Sequence, residues 1–351
     1  MTTGDYTGVP APELNRQLDL ALTAMANDIS ALNLPGIAGV VLGGGYGRGE
    51  GGVRHTPQGD KLYNDLDFFV FGNQASRRQK QDTERALKDI SRTWKERLGI
   101  DVDFSPVKNL TALSRVSSTL MYQELLRGWR PVWGDVRLED WIPALEPQEI
   151  PFTEAVRLLL NRGMGLVFAG EKLAGNSREE DFIVRNMNKA VLGCGDALLL
   201  AAGKYCWTGR ERVTAFNAYA KAQAIQEEYA DAYSAAFNYK LEPEPVLPPA
   251  PLEHWASCRR FYLETVRRVA GATQEDNPDE VSRLLGEKAS GERSFRNFLR
   301  WLLGTKTLRP LPRLFDAPVV TALASLFELL SAHEAPPPCP PQLYRVWQRF
   351  N

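Results

Sequence analysis

The sequence predicts an α+β protein, a strand-containing module over residues 1–150 followed by an all-helical half over 151–351. Three observations carry this. Two short apolar runs, IAGVVLGG from Ile37 and LDFFVFG from Leu66, have strand length and are bounded by turn residues. GIDVDFSPV (99–107) alternates strictly, with Ile100, Val102 and Phe104 on one face and Asp101 and Asp103 on the other. Beyond Pro151 the chain reads as helix after helix.

Taken in order, Leu14, Leu18, Ala21, Met25, Ile29 and Leu32 recur at spacings of three and four, predicting a helix over 12–32 that Pro35-Gly36 ends. IAGVVLGG is then a buried strand that feeds a glycine-rich stretch, and LDFFVFG is a second strand ended by Gly72-Asn73. From Ala75 to Leu98, Leu87, Ile90, Trp94 and Leu98 form a helical stripe with Ser76 as its N-cap. A helix at about 110–128 and the segment GWRPVWGD close the module. Helical patterns follow over 153–174, 180–206, 210–239, 252–271, 278–303 and 317–333. LEPEPVLPPAP (241–251) is a proline-rich connector expected to be extended, and APPPCPP (335–341) is a second, ahead of the aromatic tail LYRVWQRF.

Composition narrows the function classes. With 351 residues, 44% hydrophobic and 24% charged, the chain can bury a real core and suits two domains. A formal net charge of -1 gives no global field toward nucleic acid or membrane, so a nucleic-acid partner is not excluded but has no support from charge. Cys194, Cys206, Cys258 and Cys339 are scattered with no CxxC, which argues against a zinc site or a disulfide framework and suits a reducing cytoplasm. MTTGDYTGVPAPELN has neither a basic start nor an apolar core, so no signal peptide is expected. The apolar stretch VLGCGDALLLAAG is interrupted by Asp196 and is too short to span a bilayer. The expectation is a soluble, cytoplasmic protein with no membrane partner.

The chemistry concentrates in GGGYGRGEGG (43–52), with seven glycines in ten residues, and in NDLDFFVF (64–71). Glycines allow close backbone approach to an anion and can form a nest of N–H groups. Gly47, Gly49 and Gly52 match GxGxxG, but a dinucleotide site needs a helix directly after the glycines. VRHTPQGDKLYN follows instead, with Pro57 and Gly59, and the dinucleotide reading fails. On a strand, Asp65 and Asp67 point to one face, where paired carboxylates repel unless a cation lies between them. Oxygen-only ligands on a rigid strand suit Mg²⁺ completed by substrate phosphates, with Mn²⁺ the alternative ion. Asp103 supplies a third carboxylate, Asp101 sharing its face as the alternative, and three carboxylates can hold two metal ions for an in-line displacement.

A glycine-rich turn, D-x-D on a strand and a later strand acid resemble the DNA polymerase β-like nucleotidyltransferase superfamily. GGYGRGE with NDLDFFV is most similar to the corresponding stretch of the uridylyltransferases that modify the PII nitrogen-signalling protein. GIDVDFSPV is similar to the third-acid strand of the superfamily, and LLRGWRPVWGD resembles the segment that follows it; the resemblance covers roughly 36–135. It implies an N-terminal catalytic domain built on a small mixed sheet with helices (1–150), and a helical substrate domain behind it (151–351). It implies an enzyme that moves a nucleoside monophosphate from an NTP such as ATP to an acceptor, releasing pyrophosphate. Carried over, Gly44 and Gly45 shape the turn that holds the triphosphate, Asp65 and Asp67 bind metal, and Asp103 is the third ligand and the base. A side chain at Gly45 is expected to block the approach of backbone to phosphate. The interval from Gly45 to Asp65 is longer than usual for the family, so GGVRHTPQGDKLY (51–63) is expected to be an inserted hairpin or flap.

Several residues keep two readings. Arg48 either reaches a phosphate or forms an ion pair with Glu50 that holds the turn. Lys189 either binds nucleotide phosphate or pairs with Asp196 on the same helix. Lys204, Arg210 and Arg212 face a cleft if the analogy with antibiotic-modifying members holds, and His55 reads as an exposed loop residue. The acceptor is expected to be a small molecule. A protein side chain or a tRNA end is the alternative within the same chemistry, and a catalytically silent nucleotide-binding module is the alternative outside it.

Overall fold

A computed structural model describes residues 4–294, 297 and 317–350. The predicted helical pattern over 278–303 lies outside the described residues at 295–296 and 298–303. The fold is mixed α+β, with a small mixed sheet and many helices. The chain divides into two compact units: Met1–Glu146 with Asn238–Glu244, and Pro147–Phe237 with Pro245–Asn351.

The first unit begins with α1 (Pro12–Ala31), which opens on a proline in its first turn, where the missing N–H is no loss, and buries Leu14, Leu18, Leu22, Met25 and Ile29. β1 (Ile37–Leu42) leads into a one-turn helix, α2 (Gly44–Gly47). The segment 51–63, expected to be a hairpin or flap, contains β2 (Val53–Arg54) and β3 (Lys61–Leu62), paired antiparallel. β4 (Leu66–Gly72) is followed by α3 (Arg77–Leu98). The Ser76 cap predicted from the sequence is a full capping box, completed by Gln79, and Gly99 in the left-handed region (φ 70) ends the helix. Trp94 on α3 donates to Asp28 Oδ2 on α1 at 2.9 Å, tying the two helices together. Then come β5 (Val102–Phe104), β6 (Lys108–Asn109), α4 (Leu120–Leu126) and β7 (Arg130–Gly134).

The sheet order is β5-β4-β1-β7, with β6 also on β4. β4 runs antiparallel to β1 and parallel to β5 and β6. One sheet face, with Val40, Leu42, Leu66, Phe68, Val70 and Val102, forms a core with Met25 and Ile29 of α1 and Leu87 and Trp94 of α3. The other carries Val41 and Phe71 against Leu113, Tyr122 and Leu125. Each such side chain removed from water stabilises the unit by roughly 1.5–3 kcal/mol.

The second unit, described by itself, contains α5 (Phe152–Ala174), α6 (Glu180–Ala201), α7 (Gly209–Ala222), α8 (Glu227–Leu241), α9 (Pro251–Ala270), α10 (Pro278–Lys288), α11 (Pro318–Ala332) and α12 (Pro341–Phe350), the last residues of α8 grouping with the first unit. Its core is fastened by buried polar tips: Trp255 donates to Leu166 O at 2.9 Å and Tyr262 to Leu159 O at 2.8 Å. Three predicted boundaries move. The helix read over 210–239 is broken at 223–226, where Ala224 takes φ 47, a conformation no glycine or proline in the sequence announces. The helix read to 206 stops at Ala201, before Gly203 at φ 64. The helix read over 110–128 is a 3₁₀ turn (Leu110–Arg115) followed by α4.

Tyr46 joins the glycine turn to the hairpin. Its fully buried hydroxyl donates to Gly52 O at 2.8 Å and accepts from Tyr63 N at 3.0 Å. Tyr46→Phe keeps the ring and leaves both backbone groups without that partner. We expect a loss of about 1–3 kcal/mol in urea denaturation with an unchanged slope; stability within ~0.5 kcal/mol of wild type would show that the hydroxyl is not the latch.

Candidate active site

β1 ends at Leu42 and the chain turns at once into α2, held there by backbone hydrogen bonds. Gly43 N donates to Asp67 O at 2.8 Å, Gly47 N to Gly43 O at 2.8 Å, and Glu50 N to Gly45 O at 2.8 Å. The first of these ties the glycine turn to the middle of the D-x-D strand. Gly44 has φ 61, and a Cβ added there would lie 2.1 Å from Asp67 Oδ2. Only glycine fits, because a side chain would meet both left-handed strain and the carboxylate. Gly45 is different: it lies outside the left-handed region, and its added Cβ would stand 3.3 Å from Glu50 O, a tight but tolerable contact. The backbone and packing constraint in this turn therefore falls on Gly44.

The rest of the glycine stretch is braced rather than loose. Gly51 N donates to Tyr6 O at 3.0 Å and Gly8 N to Gly51 O at 2.9 Å, so the N-terminal segment runs beside it. Arg130 donates to Gly47 O at 3.2 Å and stacks 4.5 Å above the Tyr6 ring. Arg48 lies between Glu50 (3.7 Å) and Glu124 (3.4 Å), with side chains only 15% and 11% exposed for Arg48 and Glu50. Lys240 donates to the same Glu50 carboxylate at 2.8 Å, and Tyr239 meets Tyr63 hydroxyl to hydroxyl at 2.9 Å. Of the two readings of Arg48, this geometry matches the ion pair, extended into a four-residue network. Glu124 and Lys240 were not singled out in the sequence; Lys240 is 190 positions from Glu50, and no local pattern could have paired them.

The acids follow from the strand register. Asp65 immediately precedes β4, and Asp67 on β4 pairs across the parallel ladder with Asp103 on β5. Their neighbours Leu66↔Val102 and Phe68↔Phe104 point into the core, where the Phe68 and Phe104 rings stack at 4.9 Å. Asp67 and Asp103 therefore project together from the opposite face. Burial, and then the negative charge of Asp65 and of Asp101, push the Asp103 carboxyl above its ordinary range, while Lys95 acts in the other direction. Asp101 forms an ion pair with Lys95, and its carbonyl accepts from Leu66 N at 2.9 Å.

The backbone thus brings Gly44, Asp65, Asp67 and Asp103 to one region. Among the described residues, no three His, Cys, Asp or Glu side chains converge as a metal-binding group. The donor set still suits a hard cation: carboxylate oxygens only, with Gly44 leaving Asp67 Oδ2 approachable where a Cβ would cover it. Convergence of the three carboxylates requires side-chain rotation, which like charges on adjacent strands oppose.

The remaining predicted residues lie elsewhere. His55, on the hairpin and exposed, bonds Asp60 Oδ1 at 2.7 Å and Glu242 Oε1 at 3.1 Å, and both partners raise its pKa. Lys189 belongs to α6 in the second unit. Asp196, on the same helix, accepts from Tyr233 at 2.6 Å and pairs with Arg212 at 3.3 Å. Arg212, read as facing a cleft, is buried and also donates to Cys206 O at 3.0 Å; the carboxylate and carbonyls inside the unit, and not solvent, satisfy its charge. No described helix is long and apolar enough to cross a membrane. No family model, no curated protein and no solved structure matches the chain.

Two predictions follow from this geometry. Gly44→Ala should destabilise the first unit markedly through strain and the clash with Asp67, whereas Gly45→Ala should cost under ~1 kcal/mol. Equal losses in paired denaturation curves would refute the assignment of the constraint to Gly44. For Asp103, a folded pKa above the ordinary 3.8 means that the folded state holds the proton more tightly, so its contribution to stability falls as pH rises through the shifted value. Asp103→Asn should therefore melt higher than wild type at neutral pH, with the difference closing at pH below 3.8. A difference independent of pH would contradict the shift.

Proposed function

We propose that the first unit is the catalytic core of a metal-dependent nucleotidyltransferase of the polymerase β-like kind, with the helical half as its substrate domain. The single observation that carries the reading is the parallel register Asp67↔Asp103 beside a glycine turn whose Gly44 has room for Asp67 Oδ2 and for nothing larger. Two carboxylates level on adjacent strands, next to a braced glycine-rich backbone, suit what phosphoryl transfer asks of a protein: positioning and charge, with little covalent chemistry.

In this reading Asp65, Asp67 and Asp103 hold the metal ions, two Mg²⁺ or Mn²⁺, which when bound supply charge neutralisation at the attacking and leaving oxygens. Gly44 and Gly45 let the backbone approach the triphosphate of an NTP, ATP among them. Asp103, level with Asp67, takes the proton of the acceptor hydroxyl or amine. The α-phosphorus gains a bond to the acceptor oxygen or nitrogen and loses its bond to the pyrophosphate that leaves. Arg48, between Glu50 and Glu124, keeps the turn in place and does not itself hold phosphate. The acceptor is a small molecule, because a net charge of -1 provides no basic excess for an RNA backbone.

The test is pyrophosphate release from each NTP with Mg²⁺ or Mn²⁺ across a panel of hydroxylated and aminated small molecules, with a tRNA pool and a protein extract as comparison acceptors. Asp65→Asn, Asp67→Asn and Asp103→Asn should each lower turnover at least ~100-fold, with nucleotide binding least affected in Asp103→Asn, and Asp101→Asn should be mild. Wild-type turnover in the Asp67 variant would end the two-metal reading. An inactive Asp101→Asn beside an active Asp103→Asn would move the third acid by two residues.

A further inference from the structure

His55 stands where two segments of the first unit meet: the β2–β3 hairpin, and Asn238–Glu244, the end of α8 with the residues just beyond it. This strap is anchored along its length. Tyr239 meets the Tyr63 hydroxyl and Lys240 meets Glu50. Leu241 is buried against Gly8, where an added Cβ would stand 2.4 Å from Leu241 Cδ2. Glu242 comes next and is exposed, its Oε1 3.1 Å from His55 Nε2. The other ring nitrogen, Nδ1, lies 2.7 Å from Asp60 Oδ1.

Both ring nitrogens of His55 therefore face carboxylate oxygens. A neutral imidazole has one N–H and can donate to only one of them, and its other nitrogen would set a lone pair against a negative oxygen. Only the imidazolium donates at both. The two contacts do not yield equally. The register Val53↔Leu62 and Arg54↔Lys61 leads on to His55 opposite Asp60, and Gly59 N closes the loop beyond them on Thr56 O at 2.9 Å. The hairpin itself holds the Asp60 contact, so the longer one, to Glu242 on the strap, is the one that parts. Asp60 from the hairpin and Glu242 from the strap are the charged groups acting on His55, and Arg54 and Lys61 flank it, exposed, on the ladder. The hydrogen bonds to Asp60 and then Glu242 raise the His55 pKa above its ordinary 6.5, with lost hydration opposing them.

We propose that His55 is a proton-operated clasp: as the imidazolium it joins the hairpin to the strap, and as the neutral imidazole it keeps Asp60 and releases Glu242, freeing the end of the strap. The clasp does not rest on the catalytic reading of this unit. Because the folded state holds the proton more tightly, the clasp is closed below 6.5 and opens as pH rises through the higher folded value. The Glu242 amide, which donates to Asn238 O at 2.8 Å, reports on it. Imidazole NMR of the full chain, with the signal assigned by its loss in His55→Gln, should give a His55 pKa above 6.5, and Glu242→Gln should lower it. Exchange protection of the Glu242 amide, corrected for the intrinsic rate, should fall at least ~2-fold across that titration. His55→Gln and Glu242→Gln should each abolish the fall. A His55 pKa at or below 6.5, a pKa unmoved by Glu242→Gln, or an equal fall in His55→Gln would overturn the proposal.

Discussion

Leu66, Asp67 and Phe68 face Val102, Asp103 and Phe104 one to one along two parallel strands, and the placement of every candidate catalytic acid depends on that ladder. The outer pairs are apolar and packed into the core under α1 and α3. Slipping the ladder by one residue would turn Asp67 and Asp103 into that core, where an unpaired carboxylate is far too costly to bury. Slipping by two would align Asp101 with Asp67 and separate the stacked rings of Phe68 and Phe104. The acids are therefore kept level with one another by the alternation, which excludes a one-residue slip, and by the Phe68–Phe104 stack, which opposes a two-residue one.

Charge on the exposed face is distributed unevenly. Asp101 has Lys95 as a partner, whereas the Asp103 carboxyl feels mainly burial and two neighbouring negative charges. An acid already neutralised by a lysine gains less from a divalent cation than one raised by repulsion. The two aspartates of GIDVDFSPV, which share a face and cannot be told apart by alternation, become distinguishable once α3 brings Lys95 beside one of them.

Legibility followed the range of the determining interaction. The strict alternation around Asp103, the apolar run of LDFFVFG and the Ser76 cap are set within a few residues, and the structure has each where the pattern placed it. Fold class was readable for the same reason. The one-turn helix at Gly44–Gly47 was not, because glycine is a poor helix former and GGYG carries no local helical signal. Its conformation comes from Asp67 O, and from Tyr46 reaching Gly52 and Tyr63. The break at Ala224 and the grouping of 238–244 with the first unit were equally silent, since neither is marked by a glycine or a charge pattern. Among the candidate site residues, the shared face of Asp67 and Asp103 was legible from the alternation; which glycine carries the backbone constraint, and which groups Arg48 meets, were not.

The bracing of the glycine stretch bears on what it is for. Ordering a residue costs roughly 1–2 kcal/mol of backbone entropy, and glycine loses the most, so seven glycines in ten residues are the most expensive segment of the chain to hold still. A connector that merely joined β1 to the hairpin would have no reason to oppose that entropy. Yet Tyr46 is buried to hold it, Arg48, Glu50, Glu124 and Lys240 form a half-buried network around it, and the segment at Tyr6–Gly8 runs along it. Half-buried ion pairs add little net stability once desolvation is counted, which makes them poor justification by stability alone. What they do give is a fixed backbone position. The N–H groups of Gly43, Gly47, Glu50 and Gly51 are all taken by carbonyls within the unit, so the stretch is held at one place against Asp67, whereas a flexible loop of the same composition would first have to order itself before it could offer any fixed surface.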